Sequence, residues 1–425
     1  MPTDYRPRIA DVLLAKKLAG KGAVLIEGPK WCGKTTTAEQ IAKSVLYMTQ
    51  PGQIEQHLNL AQINPQLLLQ GDKPRLIDEW QIAPQLWDTI RFEVDHTPGL
   101  GQFILTGSSV PADMTQVLHS GTGRFAWLRM RPMSLWESGD SNGNVSFASL
   151  FDPSAKVEGV NTVDLNRIAY LTCRGGWPAS VEMPEEIALE QAFDYVDAVE
   201  QRDISLVDSV SKDPTRVHKL LRSLARHQGT QASVQTIKTD IENYDGGNLN
   251  ENTISSYIKA LRQIFVVDDV EAWNPNLRSK TAIRTSDTRY FTDPSIAVAA
   301  MGMGPNDLLN DLETFGLFFE TLCIRDLRTY VEPLNGKIYH FRNKNGLECD
   351  AVAHLRDGRY GLIEIKLGGD RLIADGIKSL KAIANQIDTE KMKRPSFMMV
   401  LTATGSYAYR NEEGIAIVPV GCLKD

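Results

Sequence analysis

An α/β fold with a parallel-sheet core is predicted for this chain by three observations. An apolar run, Ala23-Val24-Leu25-Ile26-Glu27, stops at a glycine-rich octapeptide that opens a helical segment. Two more short apolar runs, Leu76-Ile77 and Phe103-Ile104-Leu105, end in polar residues, as buried parallel strands do where they meet a ligand. Beyond residue 310 a long amphipathic helix is followed by three strand-like runs, which predicts a second α/β unit.

The octapeptide is Gly28-Pro29-Lys30-Trp31-Cys32-Gly33-Lys34-Thr35, a complete G-x-x-x-x-G-K-T/S phosphate loop. In such a loop the backbone N–H groups point inward and cradle phosphate oxygens. Lys34 reaches the β- and γ-phosphates, and the Thr35 hydroxyl ligates Mg²⁺. Thr35 to Ser44 reads as the helix, with Thr36 next to the bound phosphates and the positive helix end turned toward the anion. ATP and Mg²⁺ are the expected ligands.

Arg75-Leu76-Ile77-Asp78-Glu79 reads as the partner strand. Asp78 is expected to help hold Mg²⁺, and Glu79 to polarise the attacking water as general base. The run ending Leu105-Thr106-Gly107-Ser108-Ser109 places hydroxyls at the same sheet edge, so Thr106 or Ser108 can sense the γ-phosphate or simply start a turn. Gly123-Arg124 precedes an alternating run, Phe125 to Arg131, that reads as another strand.

Composition narrows the class. With 42% hydrophobic and 23% charged residues the chain is globular, and at 425 residues it has room for several domains. No run approaches the ~18 apolar residues of a membrane span, so no membrane association is expected. The first residues lack an apolar signal segment, and the five cysteines show no C-x-x-C spacing. A reducing, cytoplasmic setting is therefore expected. The net charge of −7 argues against a protein that coats nucleic acid, and leaves room for a local basic site.

Taken together, the phosphate loop, the Asp78-Glu79 strand, the Thr-Gly-Ser-Ser strand and Gly123-Arg124 resemble an AAA+ ATPase core. More narrowly, Leu76 to Gln81, Arg129 to Glu137 and Gly175-Gly176-Trp177-Pro178 resemble bacterial and archaeal AAA+-type ATPases that carry a C-terminal domain of unknown function. The expected domains are a core at 1–150, a helical lid at 151–212, a winged helix at 213–295 and a further domain at 306–425. The resemblance makes Arg124 a candidate arginine finger acting on a neighbour's ATP, which implies a homo-oligomer. Pairing of Arg124 with an acidic neighbour is the other reading.

Residues 138–155, rich in Ser, Gly, Asn and Asp, read as a surface excursion. Pro214 to His227, Ser233 to Ile241 and Glu251 to Phe265 read as three helices, and Val266–Val270 with Arg289–Phe291 as a ribbon. That is a winged helix-turn-helix. Its third helix offers Thr253, Ser256, Tyr257, Lys259 and Arg262 to phosphates and base edges. Residues 211–291 hold twelve basic against nine acidic side chains, a local reversal of the chain's charge that favours DNA. A winged helix used for packing is the alternative.

In the last segment, Asp350 and the Glu364-Ile365-Lys366 triplet lie on consecutive strand-like runs. Period two puts Glu364 and Lys366 on one sheet face. The spacing resembles the D…E-x-K core of restriction-endonuclease-like (PD-(D/E)xK) nucleases. That resemblance implies Mg²⁺ held by Asp350 and Glu364, with Glu320 from the preceding helix completing the cluster and Lys366 aiding the nucleophile. A fold of this kind also serves as a binding platform without cleavage. The expected function is Mg²⁺-dependent ATP hydrolysis coupled to remodelling of branched or foreign DNA. The alternatives are an ATP-regulated switch that binds protein partners, and an ATP-gated nuclease.

Overall fold

The computed structural model describes residues 5–109, 120–207, 210–246, 249–275 and 286–425. Part of the segment read as a winged helix, 247–248 and 276–285, lies outside the described residues.

Helix α1 (Ile9–Leu18) leads into β1 (Ala23–Glu27), followed by α2 (Lys34–Glu39), β2 (Ser44–Tyr47), α3 (Ile54–Ile63), β3 (Arg75–Asp78), α4 (Leu86–His96), β4 (Phe103–Gly107) and β5 (Phe125–Arg129). These strands form one parallel sheet in the order β2-β3-β4-β1-β5. The predicted α/β class and parallel core are therefore present. β4 is inserted between β1 and β3, with Glu27 opposite Gly107 and Asp78 opposite Thr106. The hydroxyl-bearing end of β4 thus lies between the phosphate loop and Asp78-Glu79. Helix α2 ends at Glu39, before the expected Ser44, which already belongs to β2. The β-branched Thr35-Thr36-Thr37 triplet is a weak helix former, and only a short helix results.

Short strands β6 (Val145–Ser146) and β7 (Gly159–Val160) come next. They correct the reading of 138–155 as a surface excursion. Phe147 and Leu150 are fully buried, and Phe147 and Phe151 meet Phe397 edge-on at 5.9 and 5.0 Å. The segment is polar in composition but is anchored by these aromatics to the C-terminal body.

Helices α5 (Leu165–Arg174), α6 (Pro178–Val181), α7 (Glu185–Ala198) and α8 (Ile204–Leu206) follow. Then come α9 (Pro214–Arg226), α10 (Val234–Asp240) and α11 (Glu251–Gln263), within a residue or two of the expected three helices. Antiparallel bridges Val267–Phe291 and Val270–Thr288 supply the ribbon. Helix α12 (Pro294–Met301) is buried along almost its whole length and packs on α5, α7 and α9. After α13 (Pro305–Asn310) and α14 (Leu312–Val331), the chain runs through β8 (Gly336–Arg342), β9 (Glu348–Leu355), β10 (Tyr360–Lys366), α15 (Asp370–Gln386), β11 (Phe397–Thr402), β12 (Tyr407–Arg410), β13 (Ala416–Pro419) and β14 (Leu423–Lys424). The second sheet is mixed, in the order β7-β12-β13-β11-β10-β9-β8. Among the described residues, no helix is long and apolar enough to cross a membrane.

The segment after β5 ties these bodies together. Glu137 accepts from Arg8 Nε at 3.1 Å, Ile9 N at 2.9 Å, Ser134 N at 2.9 Å and Ser134 Oγ at 3.0 Å. Arg8 also donates to the carbonyls of Cys32 (2.9 Å) and Arg131 (2.8 Å). Burial alone would raise the Glu137 carboxyl, but Arg8 and the two backbone N–H groups hold it below the usual range. Arg131 pairs with Asp268 at 3.0 Å and Glu332 at 2.8 Å. Leu135 N donates to Asp326 at 3.0 Å, and Met133 N to the Gly176 carbonyl at 2.6 Å.

The side chains of Arg8 and Glu137 are only 3% and 2% exposed, so removing one strands the other's charge. Glu137→Ala is expected to cost about 3–5 kcal/mol, read as a lower denaturation midpoint with earlier loss of structure around the phosphate loop. An unchanged midpoint would show that the pair does not anchor the core.

Candidate active site

The phosphate loop hangs from the C-terminal end of β1. A Cβ on Gly28 would lie 2.1 Å from the Met130 carbonyl oxygen, so only glycine admits this approach of the two strand ends. Gly33, with φ +98°, turns the chain into α2. Between them, Lys34 is buried and donates to the carbonyls of Gly28 (3.0 Å) and Pro29 (2.7 Å). Its ammonium is thus held inside the loop.

Thr35 Oγ1 donates to Asp78 Oδ1 at 2.6 Å, and Thr106 Oγ1 donates to the same oxygen at 2.7 Å. The inserted strand β4 makes the second bond possible. Glu79 follows in the left-handed region, φ 56° and ψ 44°, which costs a non-glycine residue roughly 1–2 kcal/mol. Its carboxylate accepts from Ser108 Oγ at 3.0 Å and from Gln81 Nε2. The strained backbone turns Glu79 out of the strand and two donors fix its side chain.

Sequence reasoning placed Thr106 and Ser108 near the phosphates. The structure puts their hydroxyls on Asp78 and Glu79. Gln81 escaped notice, although its spacing two residues after Glu79 in a turn was a usable signal.

A cavity of about 420 Å³ opens beside the loop, lined by Lys30, Glu79, Ser108, Tyr195, Asp203 and neighbouring apolar groups. That volume suits a small ligand. Lys30 bonds Asp203 at 2.6 Å, and the exposed Trp31 ring lies 6.1 Å from Tyr195. Cys32 is buried against Met130 and Thr36 is exposed. Helices α7 and α8 and the turn joining them thus form the far wall of the cleft.

Arg124 stands apart. It precedes β5 at the N-terminal edge of the sheet, opposite to the phosphate loop, and bonds Asp95 at 2.7 Å with its side chain 45% exposed. It does not reach the site of its own chain. On α11, Ser256 and Lys259 are exposed and Thr253 is partly so, while Arg262 bonds Asp269. Tyr257 corrects the expectation: it is buried, and its hydroxyl accepts from Asp213 N at 3.3 Å. It lies three residues after Ile254 and four before Leu261, so helical periodicity already assigned it to the inner face.

The structure does bring the C-terminal residues together. Lys366 Nζ lies 3.2 Å from Asp350 and 2.7 Å from Glu364. Asp350 also accepts from Ile365 N at 2.7 Å, and Glu364 from Ser379 Oγ at 3.1 Å. Tyr290 donates to Glu320. Burial, then the nearby Asp350 charge, push Glu364 up to about 8, and the same two causes push Glu320 well above the carboxylate range.

This arrangement sets the Lys366 ammonium against Asp350 and Glu364, the two carboxylates expected to hold a metal. Among the described residues, no three carboxylate, imidazole or thiolate side chains converge to hold a metal ion. The Lys366 ammonium fills the space between two of the carboxylates, and Tyr290 takes up the third. Asp350, Lys366 and Glu364 thus form an ionic network.

Three family models match successive parts of the chain. One described as an AAA domain covers residues 20–138, one described as a domain of unknown function (DUF8612) covers 165–307, and another (DUF4143) covers 315–423. Uncharacterized proteins of Mycobacterium bovis and Mycobacterium tuberculosis are each 22% identical over 375 residues, 88% of this chain and 76% of theirs. A solved structure titled the Walker-type ATPase of Pyrococcus abyssi is 13% identical with a TM-score of 0.43, covering 71% of this chain and 99% of that one. The AAA-domain match contains both the phosphate loop and Asp78-Glu79, which supports binding and hydrolysis of ATP by this part of the chain.

The C-terminal network carries its own prediction. A carboxyl whose folded pKa is raised holds a proton that the unfolded chain has released, so stability falls as pH rises from about 4.5 to about 8. Lys366→Met leaves two buried carboxylates without their cation, a loss of about 3–5 kcal/mol. The deficit against wild type should be larger at pH 8.5 than at pH 6, where Glu364 takes up a proton. Equal deficits at both pH values in urea titrations would contradict the network.

Proposed function

We propose that the chain is a Mg²⁺-dependent ATPase that works as a homo-oligomer and acts on DNA. The observation that carries the reading is the Thr35–Asp78 hydrogen bond of 2.6 Å beside the buried Lys34 ammonium. These oxygens are hard donors set side by side and fit Mg²⁺. When bound, Mg²⁺ neutralises charge on the β- and γ-phosphates. Thr35 and Asp78 are the residues that would hold it.

The chain's own groups do the rest. Lys34 exchanges the Gly28 and Pro29 carbonyls for phosphate oxygens. Glu79 accepts a proton from the attacking water, steadied by Ser108 and Gln81. Thr106 keeps Asp78 aligned. Arg124 is exposed and remote from its own loop, and the oligomer reading has a neighbour's phosphates draw it away from Asp95. The exposed Ser256 and Lys259 on α11 support DNA as the target.

Lys34→Ala should abolish ATP binding measured by calorimetry. Glu79→Gln should bind ATP normally and turn over at least about 100-fold more slowly. Full turnover by Glu79→Gln would mean that another group is the base. Arg124→Ala and Lys34→Ala chains, each inactive alone, should recover part of the ATPase rate when mixed. No recovery, or a fully active Arg124→Ala, removes the finger and its oligomer.

A further inference from the structure

Two cavities, of about 630 and 470 Å³, share Glu332, Asn335, Gly336 and Arg356 and so form one groove between the first sheet and the C-terminal body. Its walls are strongly basic in a chain of net charge −7. Lys16, Lys17, Lys21, Arg129 and Arg356 line it, and none has a carboxylate within ion-pairing distance among the described residues. Arg131 and Arg328 stand further along, sharing Asp268 and, for Arg131, Glu332.

Acidic groups offset little of this charge. Burial raises the Glu27 carboxyl's pKa against the opposing pull of Arg129. Burial pushes Lys17 down against the pull of Glu332, with Arg356 and Lys16 adding smaller like-charge pushes. One Arg129 guanidinium nitrogen is buried with no hydrogen-bond partner among the described residues, although the group stacks 4.0 Å over Phe265. Two aromatic rings interrupt the basic wall: Trp127, 45% exposed, and Tyr339.

We propose that this groove binds a single strand of DNA, with phosphates on the unpaired cations and bases on Trp127 and Tyr339. Basic grooves with interleaved aromatics are how single strands are held without sequence readout. A duplex keeps its bases stacked inside and so offers no base face to the rings. Apart from Asn335, Tyr339, Trp127 and His354 the polar side chains lining the groove are charged, which suits a phosphate backbone. The floor includes Glu27, the residue before Gly28, so the strand would lie directly behind the phosphate loop. The proposal rests on DNA as the target and names a different contact surface from α11.

The test is fluorescence anisotropy of the full chain with a labelled oligothymidylate of about 20 nucleotides. Lys17→Glu combined with Arg356→Glu should weaken binding at least about tenfold and make the log-salt slope shallower by about two, with melting temperature and DNA-free ATP turnover unchanged. Trp127→Ala should weaken it without changing the slope. Ser256→Glu with Lys259→Glu should weaken it less than the groove variant does. Equal affinity and slope in the groove variant, with loss in the α11 variant, overturns the groove and keeps the DNA reading. No binding by wild type at low salt overturns both. Tighter binding of a duplex, or of an RNA strand of matched sequence, overturns the assignment of single-stranded DNA.

Discussion

Glu137 is a carboxylate almost without solvent, and four donors from two distant parts of the chain converge on it. One of them, Arg8, uses its remaining N–H groups on the Cys32 and Arg131 carbonyls. A single buried ion pair therefore sets the height of the phosphate loop above the sheet and the path of the chain leaving β5. Buried pairs of this kind contribute little net stability over an apolar pair of the same shape, but they tolerate no loss of one partner. What the pair supplies is a fixed geometry. The Met130 carbonyl can lie over Gly28, and the loop can close around Lys34, only if both strand ends stay where Arg8 holds them.

The same segment reaches outward. Arg131 is charge-balanced by Asp268 from the ribbon and Glu332 after α14, and Arg328 shares Asp268 from the other side. Arg325 lies between Asp293 and Asp326, and those carboxylates hold the backbone N–H groups of Gly176 and Leu135. With side-chain exposures of 0–1%, these contacts are stiff. Residues 130–137 are thus shared structure: they support the nucleotide cleft on one side and the helical and C-terminal bodies on the other.

Much of the site was legible because its chemistry is local in sequence. The phosphate loop is contiguous, and Asp78 and Glu79 close a short strand whose apolar pattern is plain. The three helices at 214–263 were legible from periodicity, and Tyr257 was misplaced only because its spacing from Ile254 was not applied. Arg8 was not legible: its partner lies 129 positions away, and nothing near it marks a functional residue. Helix α12 was missed because its residues are buried all round, which erases the polar face that periodicity needs. The C-terminal carboxylates were found, but spacing brings Asp350, Glu364 and Lys366 together without saying whether a cation from solvent or the lysine itself lies between them.

Because the account makes residues 130–137 the mechanical link between nucleotide and C-terminal body, amide hydrogen exchange tests it most directly. The measurement compares the Glu79→Gln chain with and without Mg²⁺ and ATP. The account predicts slower exchange at 28–35 accompanied by altered exchange at 130–137 and at 326–332. Protection confined to the phosphate loop, with the other two segments unchanged, would contradict it.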